Sequence, residues 1–159
     1  MIKDENTKCS DQLELYRIDG EGSWTLGGST NSNIEGVCSL GDAFTNYGIA
    51  DFATYISDKY DYGSVGTDGT GGSDYTLTDL KAPIMSRVAF TKSFDTTYVT
   101  NDTAIFTAIT TSTGDYTLAE FGIHDASSGG NMGARQTGSW SVVDGETFGI
   151  IWRIVVSRG

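Results

Sequence analysis

The sequence holds one histidine, His124, and it stands directly before an acid, Asp125. A Ser-His-Asp hydrolase needs its acid to orient the imidazole, and neighbouring side chains of an extended chain point to opposite sides, so His124 and Asp125 make a poor dyad. No Gly-x-Ser-x-Gly elbow accompanies them, and His124 reads as a structural residue at a strand end. Glu120 is the more informative group. It lies within Thr117-Leu118-Ala119-Glu120-Phe121-Gly122-Ile123, an otherwise apolar stretch in which an uncompensated carboxylate would be costly. A partner is therefore expected, and Arg135, or else Arg87, could supply a two-pronged ion pair. A glycosidase would instead pair Glu120 with Asp125 or Asp115 across a sugar cleft, and that reading ranks below a structural Glu120–Arg135 pair.

The remaining candidates point to turns. Five glycines fall within residues 63–73, which reads as a loop; the Walker lysine is missing, and Asp74-Tyr75-Thr76-Leu77 follows where a dinucleotide site would open a helix. Asp68 and Asp74 lack EF-hand spacing and its closing Glu, so they read as solvated turn acids and not as a calcium site. Cys9 and Cys38 have neither zinc spacing nor the density of a disulfide scaffold, which favours two reduced thiols. Trp24, Trp140 and Trp152, among eight Tyr and seven Phe, fit a core or interface better than a sugar-stacking surface. Asn101-Asp102-Thr103 matches a glycosylation acceptor, which carries no weight without a secretory signal. No catalytic, cofactor-binding or metal-binding residue is expected.

The elements that must carry these residues are mostly strands. Gly, Thr and Ser make up more than a third of the chain and disfavour a helical bundle. Residues 85–94, 98–110, 116–124, 132–143 and 147–156 are rich in β-branched and aromatic residues and are separated by turn signals such as Asp144-Gly145. One helix is expected within 42–59, where Phe44, Tyr47, Phe52, Tyr55 and Ile56 recur at helical spacing and Asp42 could cap the start. The expected fold is mainly β: an antiparallel β-sandwich or jelly roll with one short helix, formed by residues 42–159 as a single domain. Residues 1–41 are polar and Gly-rich, with one alternating segment, Leu13-Glu14-Leu15-Tyr16-Arg17-Ile18, and read as an N-terminal arm or strand-bearing extension. Such an arm could be removed without unfolding the rest. In 103–109 neither alternating set is strongly polar, so that strand is expected to be buried on both faces or covered by another subunit.

Charge narrows the partners. The formal net charge is -11, with 14 acids and 4 bases in residues 1–79 against 7 and 6 in residues 80–159. No basic footprint for a phosphate backbone can be assembled, which argues against nucleic acid. The longest apolar run, 150–156, is interrupted by Arg153 and falls far below a membrane span, and the residues after Met1 offer no signal-peptide core, so neither membrane insertion nor secretion is expected.

From Thr45 onward the chain resembles a family of small structural modules of tailed-phage virions, found among tail-fibre-base, collar and head-surface proteins. The matching pieces are Thr45-Asn46-Tyr47-Gly48-Ile49-Ala50, Gly66-Thr67-Asp68-Gly69-Thr70, and Thr76-Leu77-Thr78-Asp79-Leu80 leading to Arg87. Then come Tyr116-Thr117-Leu118-Ala119-Glu120-Phe121-Gly122-Ile123-His124-Asp125, Ser128-Gly129-Gly130-Asn131-Met132-Gly133-Ala134-Arg135, and Gly145-Glu146-Thr147-Phe148 before Ile151-Trp152-Arg153-Ile154. The resemblance implies a non-enzymatic virion part, assembled in the host cytoplasm, with the major capsid protein or a tail component as partner. It also implies a homo-oligomer, with a trimer as the form common among phage surface proteins. A head-surface decoration or cement protein is preferred, because no shaft or coiled coil is visible. A tail-fibre adaptor or receptor-binding tail protein comes second, and a carbohydrate-active enzyme a distant third.

Overall fold

Alternation along the strands builds two antiparallel sheets whose apolar sides face each other, in a computed structural model that describes residues 9–32, 45–71, 74 and 76–157. The first sheet contains β1 (Cys9–Ile18), β2 (Trp24–Ser32), β5 (Thr91–Asp95), β6 (Thr103–Thr111) and β9 (Thr147–Val156), in the order β2-β1-β9-β6-β5. The second contains β3 (Tyr62–Gly66), β4 (Val88–Ala89), β7 (Tyr116–His124) and β8 (Met132–Val142), in the order β4-β3-β7-β8. Consecutive strands pair locally as β1-β2, β3-β4, β5-β6 and β7-β8, and successive pairs join alternate sheets. The last strand, β9, closes the first sheet by running between β1 and β6. The fold is a β-sandwich with one short helix.

The core lies between the sheets. Leu13 and Leu15 of β1, Phe106 of β6, and Phe148, Ile150 and Trp152 of β9 meet Val65 of β3, Leu118, Phe121 and Ile123 of β7, and Trp140 and Val142 of β8. Burying each such side chain contributes about 1.5–3 kcal/mol, so this cluster dominates the stabilising side of the balance. The helix α1 (Asn46–Lys59) packs on β6 and β9. Thr45 caps it by accepting the amide of Gly48 at 3.2 Å, and Ile49, Ala53 and Ser57, four residues apart, form its buried stripe. Asp42, the expected cap, lies outside the described residues.

Several expectations change. Residues 9–32, within the stretch expected as an arm or strand-bearing extension, carry two strands of the sandwich itself: β1 lies between β2 and β9, and Leu13 is fully buried. The Leu13/Leu15 alternation is thus the inward face of an interior strand, flanked by polar residues that face outward. The glycine-rich stretch begins with a strand, β3, where a loop was expected. Gly63 is required there by close packing, since a Cβ would sit 2.7 Å from the Phe90 ring. The expected strand 85–94 divides into β4 and β5, one in each sheet. The expected strand 98–110 begins only at Thr103, because Asp102 folds the preceding residues into a turn. In β6, Ala104, Phe106 and Ala108 enter the core, while Ile109 on the other face is 51% exposed.

Candidate functional site

The polar residues singled out in the sequence gather on the outer face of the second sheet. A bulge between Leu118 and Glu120 resets the alternation of β7, so that Phe121 and Ile123 enter the core while Glu120 and His124 face away from it. Ser64 and Gly66 of β3 share that face as the pairing partners of Gly122 and Glu120, and Arg135 of β8 joins it opposite Gly122. The described residues of the connection from β3 to β4, 67–71, 74 and 76–87, cross over this face and bury it. Thr67 N–H donates to the Ala82 carbonyl (3.0 Å), Ile84 N–H to Val65 (3.2 Å) and Met132 N–H to Thr78 (3.0 Å).

Glu120 holds that crossing in place. Its Oε1 accepts the Ala82 amide at 2.6 Å, and its Oε2 accepts the Lys81 amide and Arg135 Nε, each at 3.0 Å. Arg135 Nη2 also lies 3.0 Å from Oε2, with both side chains buried. The same guanidinium donates to the carbonyls of Asp68 (2.7 Å), Thr70 (3.1 Å) and Gly71 (3.3 Å), tying the glycine-rich turn to the sheet. Gly66 admits this approach, since a Cβ there would be 2.5 Å from both Glu120 Oε1 and the Ala82 carbonyl oxygen. Arg87, the alternative partner, instead pairs with Asp79 at 2.9 Å and donates to the carbonyls of Ala126 (2.8 Å) and Gly129 (2.5 Å).

His124 is fully buried on the same face, with Nε2 2.6 Å from Ser64 Oγ. Asp79 Oδ1 lies 3.9 Å from that same nitrogen, and Nδ1 has no hydrogen-bond partner among the described residues. A hydrolytic triad places serine and acid on opposite ring nitrogens; here both approach one, and Ser64 is itself buried. Burial, then the nearby Arg87 charge, lower the His124 pKa to about 4 against the opposing pull of Asp79 and Asp125. The imidazole is neutral at pH 7.

The other candidate acids, Asp125, Asp115, Asp68 and Asp74, are committed to turns. Asp125 accepts the Asn131 amide at 2.7 Å and pairs with Lys59 at 3.3 Å; these contacts, the amide foremost, hold its carboxyl below the usual range. Asp115 accepts the Asp144 amide at 2.8 Å, so Glu120, Asp125 and Asp115 each serve a different segment and form no acid pair. Asp68 and Asp74 each accept the hydroxyl and amide of the threonine two residues on, which lowers both pKa values. Among the described residues no group of three His, Cys, Asp or Glu could hold a metal ion. Cys38 lies outside the described residues, as does the side chain of Cys9.

Asp102, in sequence only the middle of a glycosylation-acceptor tripeptide, is a structural group that the sequence expectations do not include. It is fully buried, and its carboxylate accepts the amides of Thr97 (2.8 Å), Tyr98 (2.7 Å) and Val99 (2.7 Å) and the Thr103 hydroxyl (3.0 Å). Burial alone would raise its pKa, but these donors hold it below the usual value. An Asp directly before a β-branched strand, after a polar 95–101, was the available signal.

The outer face of the first sheet has the opposite character. Ile109 of β6, Gly149 of β9, Tyr16 of β1 and Leu26 of β2 stand opposite one another in one row across four strands. Trp24 lies over Gly149, where a Cβ would be 2.5 Å from its ring, and meets Tyr16 edge-on with centroids 5.5 Å apart. Leu26 is 54% exposed, and the Glu14–Arg153 ion pair crosses the same face.

No family model matches the chain, and no curated protein or solved structure matches it either. Among the described residues no helix is long and apolar enough to cross a membrane.

Proposed function

We propose that this chain is a non-enzymatic assembly protein that packs against other proteins through the outer face of its first sheet. In the terms of the phage-module resemblance it is a virion structural protein, a decoration or cement component of the head surface that forms a homo-oligomer. One observation carries this reading: the exposed Ile109 and Leu26 flank the half-buried Tyr16 in one row, with Trp24 laid over Gly149, and the other described residues leave this largely apolar patch open. The commitment of Glu120, Arg135, His124 and Asp102 to backbone and turn contacts supports it, since each has a structural use that needs no substrate.

Leu26→Lys combined with Ile109→Lys tests the proposal. Wild-type protein should sediment as a symmetric oligomer or decorate particles in electron micrographs, and the double variant should lose both while melting at the same temperature. A wild-type chain that stays monomeric at high concentration and leaves particles bare would overturn the proposal.

A further inference from the structure

A second surface feature is independent of that apolar patch. The first turns of α1 and the turn between β5 and β6 enclose an open groove of about 620 Å³. Tyr47, Asp51 and Thr54 line one wall, and Tyr98, Thr100 and Asn101 line the other. The two tyrosines are 77% and 74% exposed, so folding gains little from either ring. Both walls are nevertheless fixed. Asp102 fastens the second wall through the Thr97, Tyr98 and Val99 amides, and Asn101 holds a left-handed backbone (φ 61) with its amide directed to Thr96 Oγ1 at 3.4 Å. The first wall is the capped start of the helix.

The geometry points to a binding groove for a neutral oligosaccharide. Exposed tyrosine rings offer flat apolar faces to the C–H side of a sugar ring, and their hydroxyls stay in water. Asp51, Thr54, Thr100 and Asn101 supply short acceptors and donors of the kind that fix vicinal hydroxyls. Among the described residues the groove lining contains no Lys, Arg or His, and the chain carries a net charge of -11, which disfavours an anionic glycan. Because the walls are held before any ligand arrives, little ordering cost opposes binding.

Titration calorimetry of the full chain with chitotetraose, maltotetraose, cellotetraose and mannotetraose tests the groove, with heparin and a tyrosine-rich peptide as contrasting probes. At least one neutral sugar should bind with a Kd below about 1 mM. Tyr47→Ala and Tyr98→Ala should each weaken that binding at least about tenfold, and Tyr98→Phe should keep it, since the ring provides the contact. Tyr55→Ala, which alters an exposed tyrosine outside the groove, should change nothing, and all four variants should melt with the wild type. The proposal is overturned if none of the four sugars binds, if binding survives both alanine substitutions, or if only heparin or the peptide is retained.

Discussion

Glu120 and His124 are four residues apart on one strand face, yet their buried surroundings differ. The Glu120 carboxylate is surrounded by two backbone amides and a guanidinium. Glu120→Gln would leave Arg135 buried without its counter-charge and replace one accepting oxygen by a donor, so it should cost about 3–5 kcal/mol in a urea unfolding titration. Hydrogen exchange should locate the loss in residues 67–87. A change within about 0.5 kcal/mol would contradict the anchoring role. The imidazole has one hydrogen-bond partner among the described residues, Ser64, and burial keeps it neutral at pH 7. With its pKa lowered from 6.5 to about 4, the unfolded chain binds the proton first as pH falls through that window. Its contribution is therefore fully present above pH 6.5 and is lost towards pH 4, by roughly 3 kcal/mol in all. Subtracting the stability–pH curve of His124→Gln from that of the wild type should reveal this slope, and parallel curves would refute it.

Among the elements, β1 decides where the folding unit begins. It supplies Leu13 and Leu15 to the core and forms the ladder along one side of β9. A truncation lacking residues 1–41 should bare the hydrogen-bonding edge of β9 and lose about 3–6 kcal/mol from those two leucines alone. That is a large part of the stability of a domain this size. The truncated chain should bind a hydrophobic dye and lack a cooperative melting transition. A cooperative transition near the wild-type temperature would mean that residues 42–159 fold unaided, as the composition of residues 1–41 had led us to expect.

For the molecule as a whole, charge and surface character oppose each other. A chain of net charge -11 resists meeting its own copies, whereas the row through Ile109, Tyr16 and Leu26 favours it. Self-association through that face should strengthen as salt screens the repulsion, which sedimentation at about 50 mM and about 500 mM salt would measure. Docking on a basic partner would weaken over the same range, so the sign of the salt effect separates a homo-oligomer from attachment to a cationic surface.

The strand limits of β7 and β9, the existence of α1 and the sandwich class all follow from periodicity, turn residues and composition, which are properties of neighbouring residues. So does the expectation that Glu120 needs compensation, because desolvating a carboxylate is costly in any apolar strand. Other features depend on residues far apart in the chain. Ser64 and His124 are separated by 60 positions, and the Lys81 and Ala82 amides that share Glu120 with Arg135 belong to a connection with no periodic pattern. The glycines of β3 resembled loop glycines because their cause, a Phe90 ring at one and the Glu120 carboxylate at the other, arrives from distant parts of the chain. The polar start of the chain resembled an arm because only its pairing with β9, the last strand, makes Leu13 and Leu15 core residues. Local spacing encodes which face of an element is apolar; what covers that face is settled by long-range pairing, whose partners the spacing does not name.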